Sequence, residues 1–258
     1  RGKPIGVIQV VDTAPGVFDS THQTLLEWLA ASAAIAIDNA RLYQRARDVI
    51  RQKEEAKAEL DKSVQMLHRT LNGTIQAITL IVETKDPYTA GHQRRVALLA
   101  QAIGKKLGLS EERIETLRIS GLIHDIGKMA IPAAILSKPG TLNESEFALI
   151  QRHAKVGYEI LSEVAFSSPV AETVYQHHER MDGSGYPRGL SGNDILLESR
   201  ILNVADVVEA MASHRPYRAA YGIPSALEEI NREKGRLYDP EVVTACLDIF
   251  QGGEFCFE

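Results

Sequence analysis

The sequence predicts a mainly α-helical protein: a short α/β segment leads into one long helix, and an all-α region follows. The run PIGVIQVV at residues 4–11 is rich in β-branched residues and predicts a strand. No proline or glycine interrupts residues 17–72, which predicts one long helix. Beyond residue 82, capping signals and apolar residues at helical spacing predict further helices and no strand.

The long helix is predicted to begin near Leu25, where apolar residues recur at steps of three and four. Further along, these steps continue as a seven-residue repeat at Leu60, Val64, Leu67, Leu71, Thr74, Ile78 and Ile81. Lys53 and Lys57 occupy seam positions and weaken the middle of the repeat. The pattern favours a parallel coiled-coil stalk that joins two copies of the chain. The alternative is a solvated linker helix packed within one chain.

In the all-α region, Ser110 precedes two glutamates and predicts a helix start. Asn143 and Glu146 form a capping-box pattern, which predicts the start of another helix.

Composition limits the class of protein. The 258 residues, 44% hydrophobic and 24% charged, suffice for one large core or two modest ones. The net charge of −5 argues against a broad nucleic-acid-binding face. Cys246 and Cys256 are too few for a disulfide framework, and no run of eighteen apolar residues occurs, so we expect a cytoplasmic protein without a membrane segment. Because a predicted strand begins almost at Arg1, we also expect a longer parent protein.

Polar residues fall on apolar helix faces at several places. His92 heads a stripe of apolar residues, and His124, His153 and Asp206 have apolar or small neighbours one helical turn away. Each is therefore predicted to be buried. The motif HHERMDGSGYP, residues 177–187, adds two adjacent histidines at a glycine-containing loop.

A single inward histidine is more often a hydrogen-bonded core residue than a metal ligand. Here, however, seven imidazole and carboxylate groups would each need a private partner, whereas one metal cluster satisfies them together. The seven are His92, His124, Asp125, His153, His177, His178 and Asp206. His22, His68 and His214 lack this context and are not expected to be ligands.

The ligand chemistry restricts the metal. Imidazoles and carboxylates without a thiolate suit iron, manganese or zinc, and Asp125 is suited to bridge two ions. Seven ligands are too many for one tetrahedral ion but suit two octahedral ions. Metals roughly 3.5–4 Å apart recur in phosphoester hydrolysis, where a bridging hydroxide attacks phosphorus. Lys128 would then hold a phosphate oxygen.

These motifs, with HDIGK at residues 124–128 and an intact Gly185-Tyr186-Pro187, resemble the HD-GYP family of bacterial phosphodiesterases over about residues 72–250. The resemblance implies an all-α HD-type domain that hydrolyses cyclic di-GMP to linear pGpG or to GMP. It also implies one divalent ion on His92, His124, Asp125 and Asp206, and a second on Asp125, His153, His177 and His178.

By the same resemblance, substrate would meet Lys128, Arg215 and Arg218. The loop with Gly185 and Tyr186 would shape the cleft and would also dock cyclic di-GMP synthase domains. Iron or manganese is the expected metal.

The chain departs from the family pattern at two positions. Tyr88 stands where some members have a glutamate that binds a third metal, so no third ion is expected. Ala154 replaces a common proline, which we expect to have little effect because neither residue binds metal.

Residues 1–45 resemble the end of a GAF sensory domain, through the strand and the helix FDSTHQTLLEWLAASAAIAIDNARLY. The predicted organisation is therefore a GAF fragment at 1–45, a coiled-coil linker at 46–81 and an HD-GYP domain at 82–258. A change in helix packing along the stalk would carry a signal to the enzyme.

Two alternatives to a cyclic di-GMP phosphodiesterase stay open. The first is a catalytically silent module that binds a nucleotide or a partner protein, although such a domain should have lost ligands. The second is an HD phosphohydrolase for another cyclic dinucleotide, against which the GYP loop argues.

Overall fold

The computed structural model describes residues 3–85, 91–138, 140–213 and 221–257. Nine α-helices occur in these ranges, which contain no β-strand, so the prediction of a mainly α fold is confirmed. They are α1 (Ser20–Lys85), α2 (His92–Lys106), α3 (Glu111–Ile123), α4 (Ala133–Leu136), α5 (Glu144–Ser162), α6 (Val170–Tyr175), α7 (Leu197–Ala212), α8 (Ile223–Arg232) and α9 (Pro240–Gln251). Two 3-10 helices, Ile126–Ala130 and Gly192–Asp194, follow α3 and α6. Among the described residues, none of the helices combines the length and apolarity needed to cross a bilayer.

The strand predicted at residues 4–11 is not formed. These residues are irregular, and most of their side chains are exposed; Val7, for example, is 93% exposed. A strand needs a neighbouring strand to satisfy its backbone groups, and the described part of the chain offers none.

The chain divides into two compact units within α1, between Arg69 and Thr70. In the first unit most apolar side chains of α1 are exposed, with Trp28 at 74% and Tyr43 at 76%. The interpretation of residues 1–45 as the end of a GAF domain stays a prediction, as does the division at residues 46–81 and 82–258.

The predicted long helix is confirmed as α1, and part of its heptad seam is accessible. Leu67 is 70% exposed and Leu71 is 45% exposed. Ile78 instead packs against the core of the second unit, so this seam position is occupied within the chain. Ile81, the next seam position, is again exposed at 54%. The expected coiled coil stays a prediction.

The second unit has two hydrophobic cores. The larger core is formed by α2, α3, α7, α8 and α9, and its fully buried residues include Leu99, Ile103, Leu117, Ile201, Leu202 and Ile230. The helix starts predicted at Ser110 and Asn143 are confirmed, and Asn143 and Glu146 form the reciprocal capping box. The capping box fixes where α5 begins, whereas the side chain of Ser110 makes no capping hydrogen bond to α3.

The smaller core joins the end of α1 to α3, α5 and α6, through Ile75, Val82, Ile119, Ile123, Ile126, Leu161, Val170 and Val174. The hydroxyl of Thr79 on α1 shares its hydrogen bond between the carbonyl oxygen of Ile75 in its own helix, 2.9 Å away, and that of Leu122 in the last turn of α3, 3.0 Å away. Lys85 donates to the carbonyl oxygen of Met129. The end of α1 therefore holds the chain on both sides of residues 124–128.

Candidate metal centre

Five segments of the second unit bring the predicted ligands together. His92 is the first residue of α2, and His124 and Asp125 follow the last residue of α3. His153 lies within α5, whereas the remaining ligands are His177 and His178 after α6 and Asp206 within α7. The side chains of His92, His124, Asp125, His153 and His177 are buried. Asp206, which was predicted to be buried, is 14% exposed.

The first ligand group consists of His92, His124 and Asp206, whose donor atoms all lie within 4.8 Å of one another. The Nε2 atom of His92 is 3.2 Å from Oδ1 of Asp206, and the Nε2 atom of His124 is 4.0 Å from the same oxygen. Three donor atoms of imidazole and carboxylate type therefore converge on one point.

The second group consists of His153, His177 and His178, with donor atoms again within 4.8 Å. The Nε2 atoms of His153 and His177 are 3.3 Å apart.

Asp125 lies between the two groups. Its Oδ2 atom is 3.5 Å from Nε2 of His124, and its Oδ1 atom is 3.7 Å from Nε2 of His153. One carboxylate thus presents one oxygen to each group, which is the arrangement that a ligand shared by two ions requires.

Close backbone packing makes this arrangement possible. The 3-10 helix that follows Asp125 lies directly against α5, where a Cβ on Gly127 would be 1.9 Å from the carbonyl oxygen of His153. Only glycine allows so close an approach, which brings Asp125 to His153.

Hydrogen bonds donated by the Nδ1–H groups fix the orientation of the imidazoles. The Nδ1 atoms of His124, His153 and His177 face the carbonyl oxygens of Gly121, Ile150 and Val174, each three residues earlier. A carbonyl only accepts, so the ring proton lies on Nδ1 and the lone pair of Nε2 points into the cluster.

The direction of the Nε2 lone pairs shows whether the cluster suits a cation. In His153 and His177, two unprotonated Nε2 atoms face each other at 3.3 Å, an arrangement that is repulsive without a positive charge nearby. The donor set is imidazole and carboxylate without thiolate, which suits iron, manganese or zinc. The residues therefore fit a metal centre.

The pKa values support the same conclusion. Burial lowers the pKa of His177 to about 3 and also lowers the pKa values of His153 and His178, so these rings stay neutral at physiological pH. Burial alone would raise the pKa of Asp125, but Lys128 and the surrounding histidines hold it well below its usual range.

The pKa of His92 is shifted in the opposite direction. Burial would lower its pKa, but hydrogen bonds with Asp206 and Glu209 outweigh this effect and raise the pKa to about 9. Asp206 keeps a pKa well below its usual range because the histidines, His92 first, outweigh the effect of burial.

Some of the predicted substrate-binding residues lie at the cluster, and the others lie outside the described residues. The Nζ atom of Lys128 is 2.7 Å from Oδ2 of Asp125, at the edge of the cluster. Tyr186 packs on the ring of His178, with centroids 4.7 Å apart, and burial raises its pKa. Arg215 and Arg218 lie outside the described residues, as does Tyr88.

Gly185 positions Tyr186. A Cβ on Gly185 would lie 2.5 Å from the carbonyl oxygen of His178, so glycine is needed for this close contact. The amide of Tyr186 donates to the same carbonyl over 3.2 Å, which holds the loop against the histidine pair.

Sequence reasoning missed three buried polar residues around the cluster. Glu209 accepts a hydrogen bond from Nδ1 of His92, and Asn203 donates to the carbonyl oxygen of His177. Glu179 accepts from the amides of Arg188 and Leu190, at 2.7 and 3.0 Å, and so fastens the end of the GYP loop to the histidine pair. The signal for Glu209 was its position three residues after Asp206 on the same helix.

The histidines that were not expected to be ligands belong to neither ligand group where they are described. His22 and His68 are exposed, and His22 contacts Asp19 over 2.7 Å. His214 lies outside the described residues.

Comparisons with known proteins agree with this geometry. A family model described as HD domain matches residues 76–242. The chain is 42% identical over 176 residues to "Cyclic di-GMP phosphodiesterase response regulator RpfG" of Xanthomonas campestris pv. campestris, which covers 67% of this chain and 47% of that protein. It is 41% identical over 171 residues to "3'3'-cGAMP-specific phosphodiesterase 3" of Vibrio cholerae, which covers 66% of this chain and 37% of that protein. The chain thus spans about half the length of these relatives or less.

Among solved structures, an HDG"Y"P protein from Bdellovibrio bacteriovorus has a TM-score of 0.53 at 20% identity, over 62% of this chain and 52% of that one. This likeness supports the HD-type helical fold.

Proposed function

The chain belongs to the HD domain family and carries the HD-GYP motif, and from that premise we propose that it is a metal-dependent phosphodiesterase that hydrolyses cyclic di-GMP. The observation that carries the proposal is the position of Asp125, which offers one carboxylate oxygen to each of the two ligand groups.

We propose two divalent ions, iron or manganese. The first would be held by His92, His124, Asp125 and Asp206, and the second by Asp125, His153, His177 and His178. Such a pair of ions supplies an activated water and stabilises the charge on the attacking and leaving oxygens of a phosphodiester. The chain's part is to hold the imidazoles and the ionised carboxylates in place. No third ion is proposed.

Lys128 and the GYP loop would bind the substrate. Lys128 presents a positive charge beside Asp125, and its side chain is 14% exposed, so a phosphate at the cluster would meet it. Tyr186 offers an aromatic face above His178 against which a base would stack. Arg215 and Arg218 are proposed to clamp a phosphate or a guanine edge, because a planar guanidinium matches both.

The product would be linear pGpG, GMP or both. A second candidate substrate is 3'3'-cGAMP, because the identities to relatives named for cyclic di-GMP and for 3'3'-cGAMP are nearly equal, at 42% and 41%.

We also propose a homodimer through α1, supported by the exposed apolar side chains of Leu60, Val64, Leu67 and Leu71 along the helix. Sedimentation of the wild type and of Leu67→Glu tests this, with a dimer and a monomer as the expected results. Wild-type protein that sediments as a monomer would contradict the dimer. Docking of cyclic di-GMP synthase domains on the GYP loop stays a prediction.

The activity is tested by incubating the manganese-loaded protein with cyclic di-GMP, 3'3'-cGAMP and cyclic di-AMP in parallel, followed by chromatography of the products. We expect cyclic di-GMP to be cleaved fastest, and we expect Asp125→Asn to abolish cleavage. The matched control is Asp239→Asn, which changes a buried carboxylate that pairs with Arg200 and belongs to neither ligand group. Faster cleavage of 3'3'-cGAMP would make it the substrate in place of cyclic di-GMP. Metal-loaded protein that cleaves none of the three would favour a binding module.

A further inference from the structure

His92 differs from the other oriented histidines of the cluster in the partner of its Nδ1 atom. His124, His153 and His177 each use a backbone carbonyl three residues earlier. Because α2 begins at His92, no carbonyl of the same helix lies one turn before this residue. Its Nδ1 atom faces the carboxylate of Glu209, which comes from α7.

Both carboxylate oxygens of Glu209 accept hydrogen bonds. Glu209 is 1% exposed, and its Oε1 atom accepts hydrogen bonds from Nε of Arg95, at 2.7 Å, and from the hydroxyl of Ser213, at 2.7 Å. The other carboxylate oxygen, Oε2, is directed to His92. The orientation of Oε2 is therefore fixed by contacts on the opposite oxygen.

We propose that Glu209 is a positioning residue for the metal centre, which holds the ring of His92 so that Nε2 faces Asp206 and the first metal. This inference rests on the proposed function and goes beyond it, because Glu209 acts through His92 and contacts neither metal nor substrate. A carboxylate that accepts from a ligand histidine fixes the ring and makes the other nitrogen a better donor.

Glu209→Gln is the informative substitution, since it keeps the size of the side chain. The amide NH₂ must point either towards Arg95 and Ser213 or towards Nδ1 of His92, and in each case two donors face each other. In the first orientation the amide oxygen still faces His92, but the side chain loses the contacts that aim it; in the second, the contact with Nδ1 itself is lost. Either way the ring of His92 is held less firmly than by the carboxylate.

Glu198→Gln is the matched control. Glu198 also lies on α7, is 6% exposed and pairs with an arginine, through Nε of Arg113 at 2.5 Å. It contacts no member of either ligand group in the described structure. Both variants therefore weaken an ion pair between a buried carboxylate and a partly exposed arginine, but only Glu209→Gln changes the contact with His92.

The experiment is a Mn²⁺ titration of the full chain, in which free Mn²⁺ is followed by electron paramagnetic resonance. We expect two sites in the wild type, with the affinity of one reduced about 10- to 100-fold in Glu209→Gln and both unchanged in Glu198→Gln. In a His92→Ala background, Glu209→Gln should cause no further loss, because the two residues act as one unit.

The role of Glu209 would be overturned if Glu209→Gln bound Mn²⁺ with wild-type affinity, or if Glu209→Gln and Glu198→Gln lost the same Mn²⁺ affinity. It would also be overturned if the losses of Glu209→Gln and His92→Ala were additive. These results leave the proposed function intact if the wild type binds Mn²⁺ and cleaves its substrate. A wild type that does neither overturns the proposed function, and this inference with it.

Discussion

Replacing Gly127 with alanine should dismantle the metal centre without touching a ligand. A Cβ at this position would lie 1.9 Å from the carbonyl oxygen of His153 and 2.6 Å from the amide nitrogen of Gly157, whereas real Cβ atoms essentially never approach within 3.0 Å. The obstructing atoms are backbone, so the 3-10 helix and α5 must separate by roughly 1 Å, the difference between 3.0 and 1.9 Å.

That displacement is large on the scale of metal coordination. Asp125 precedes Gly127 by two residues and must reach towards His124 and His153 together. Ligand distances tolerate about 0.2 Å, so a shift of about 1 Å prevents Asp125 from serving both groups. We expect loss of at least one ion and a fall in turnover of about 100-fold or more. Overpacking should also cost about 1–3 kcal/mol of unfolding free energy.

The assay combines metal content, turnover of cyclic di-GMP and urea unfolding on one preparation. The control is Gly73→Ala in α1, where an added Cβ has no atom within 4 Å apart from its own helix, and a gain of roughly 0.5–1 kcal/mol is expected. A Gly127→Ala protein with the wild-type metal content and stability would refute the packing argument.

Three further predictions concern stability and reactivity. Thr79→Val should lower the unfolding free energy by about 1 kcal/mol, because it removes the hydroxyl that donates to the carbonyl of Leu122; an unchanged urea midpoint would contradict this. Ellman's reagent at pH 8 should label one thiol in the native chain and two after denaturation, because Cys246 is buried with a pKa raised to about 12, whereas Cys256 is exposed; two fast native thiols would be the opposite result. The pKa of Glu146 is lowered by hydrogen bonds from Lys138 and from the Asn143 amide. The stability that Glu146 contributes is therefore full above its unfolded pKa of about 4.5, and it declines as the pH falls through the lower pKa of the folded state. Glu146→Ala should therefore be less stable than wild type at pH 7, and the difference in melting temperature should shrink on acidification; a deficit independent of pH would refute this.

The helical geometry of the sequence was sufficient to predict which histidines face inward. His92, His124 and His153 lie on apolar helix faces at spacings of three and four residues, and the structure buries all three. The gathering of seven ligands could be inferred because separate buried polar groups would be costly, whereas one cluster satisfies them. Their role in binding metal stays a prediction.

Other features depend on contacts between distant segments, which periodicity does not report. Glu209 reaches His92 across 117 positions of the chain, and Gly127 matters only because α5 packs on it. The strand at residues 4–11 was predicted from β-branched residues alone, but a strand also needs a partner. Ile78 fits the heptad repeat, yet it packs into the core of the second unit, because apolar residues at the same spacing serve either purpose.

The two-metal account is tested most directly by elemental analysis of anaerobically purified protein, with turnover of cyclic di-GMP measured on the same sample and on Asp125→Ala. The account predicts about two iron or manganese ions per wild-type chain together with hydrolysis, and loss of hydrolysis in Asp125→Ala. Wild-type protein that binds no metal after reconstitution, or an Asp125→Ala variant with full activity, would contradict it.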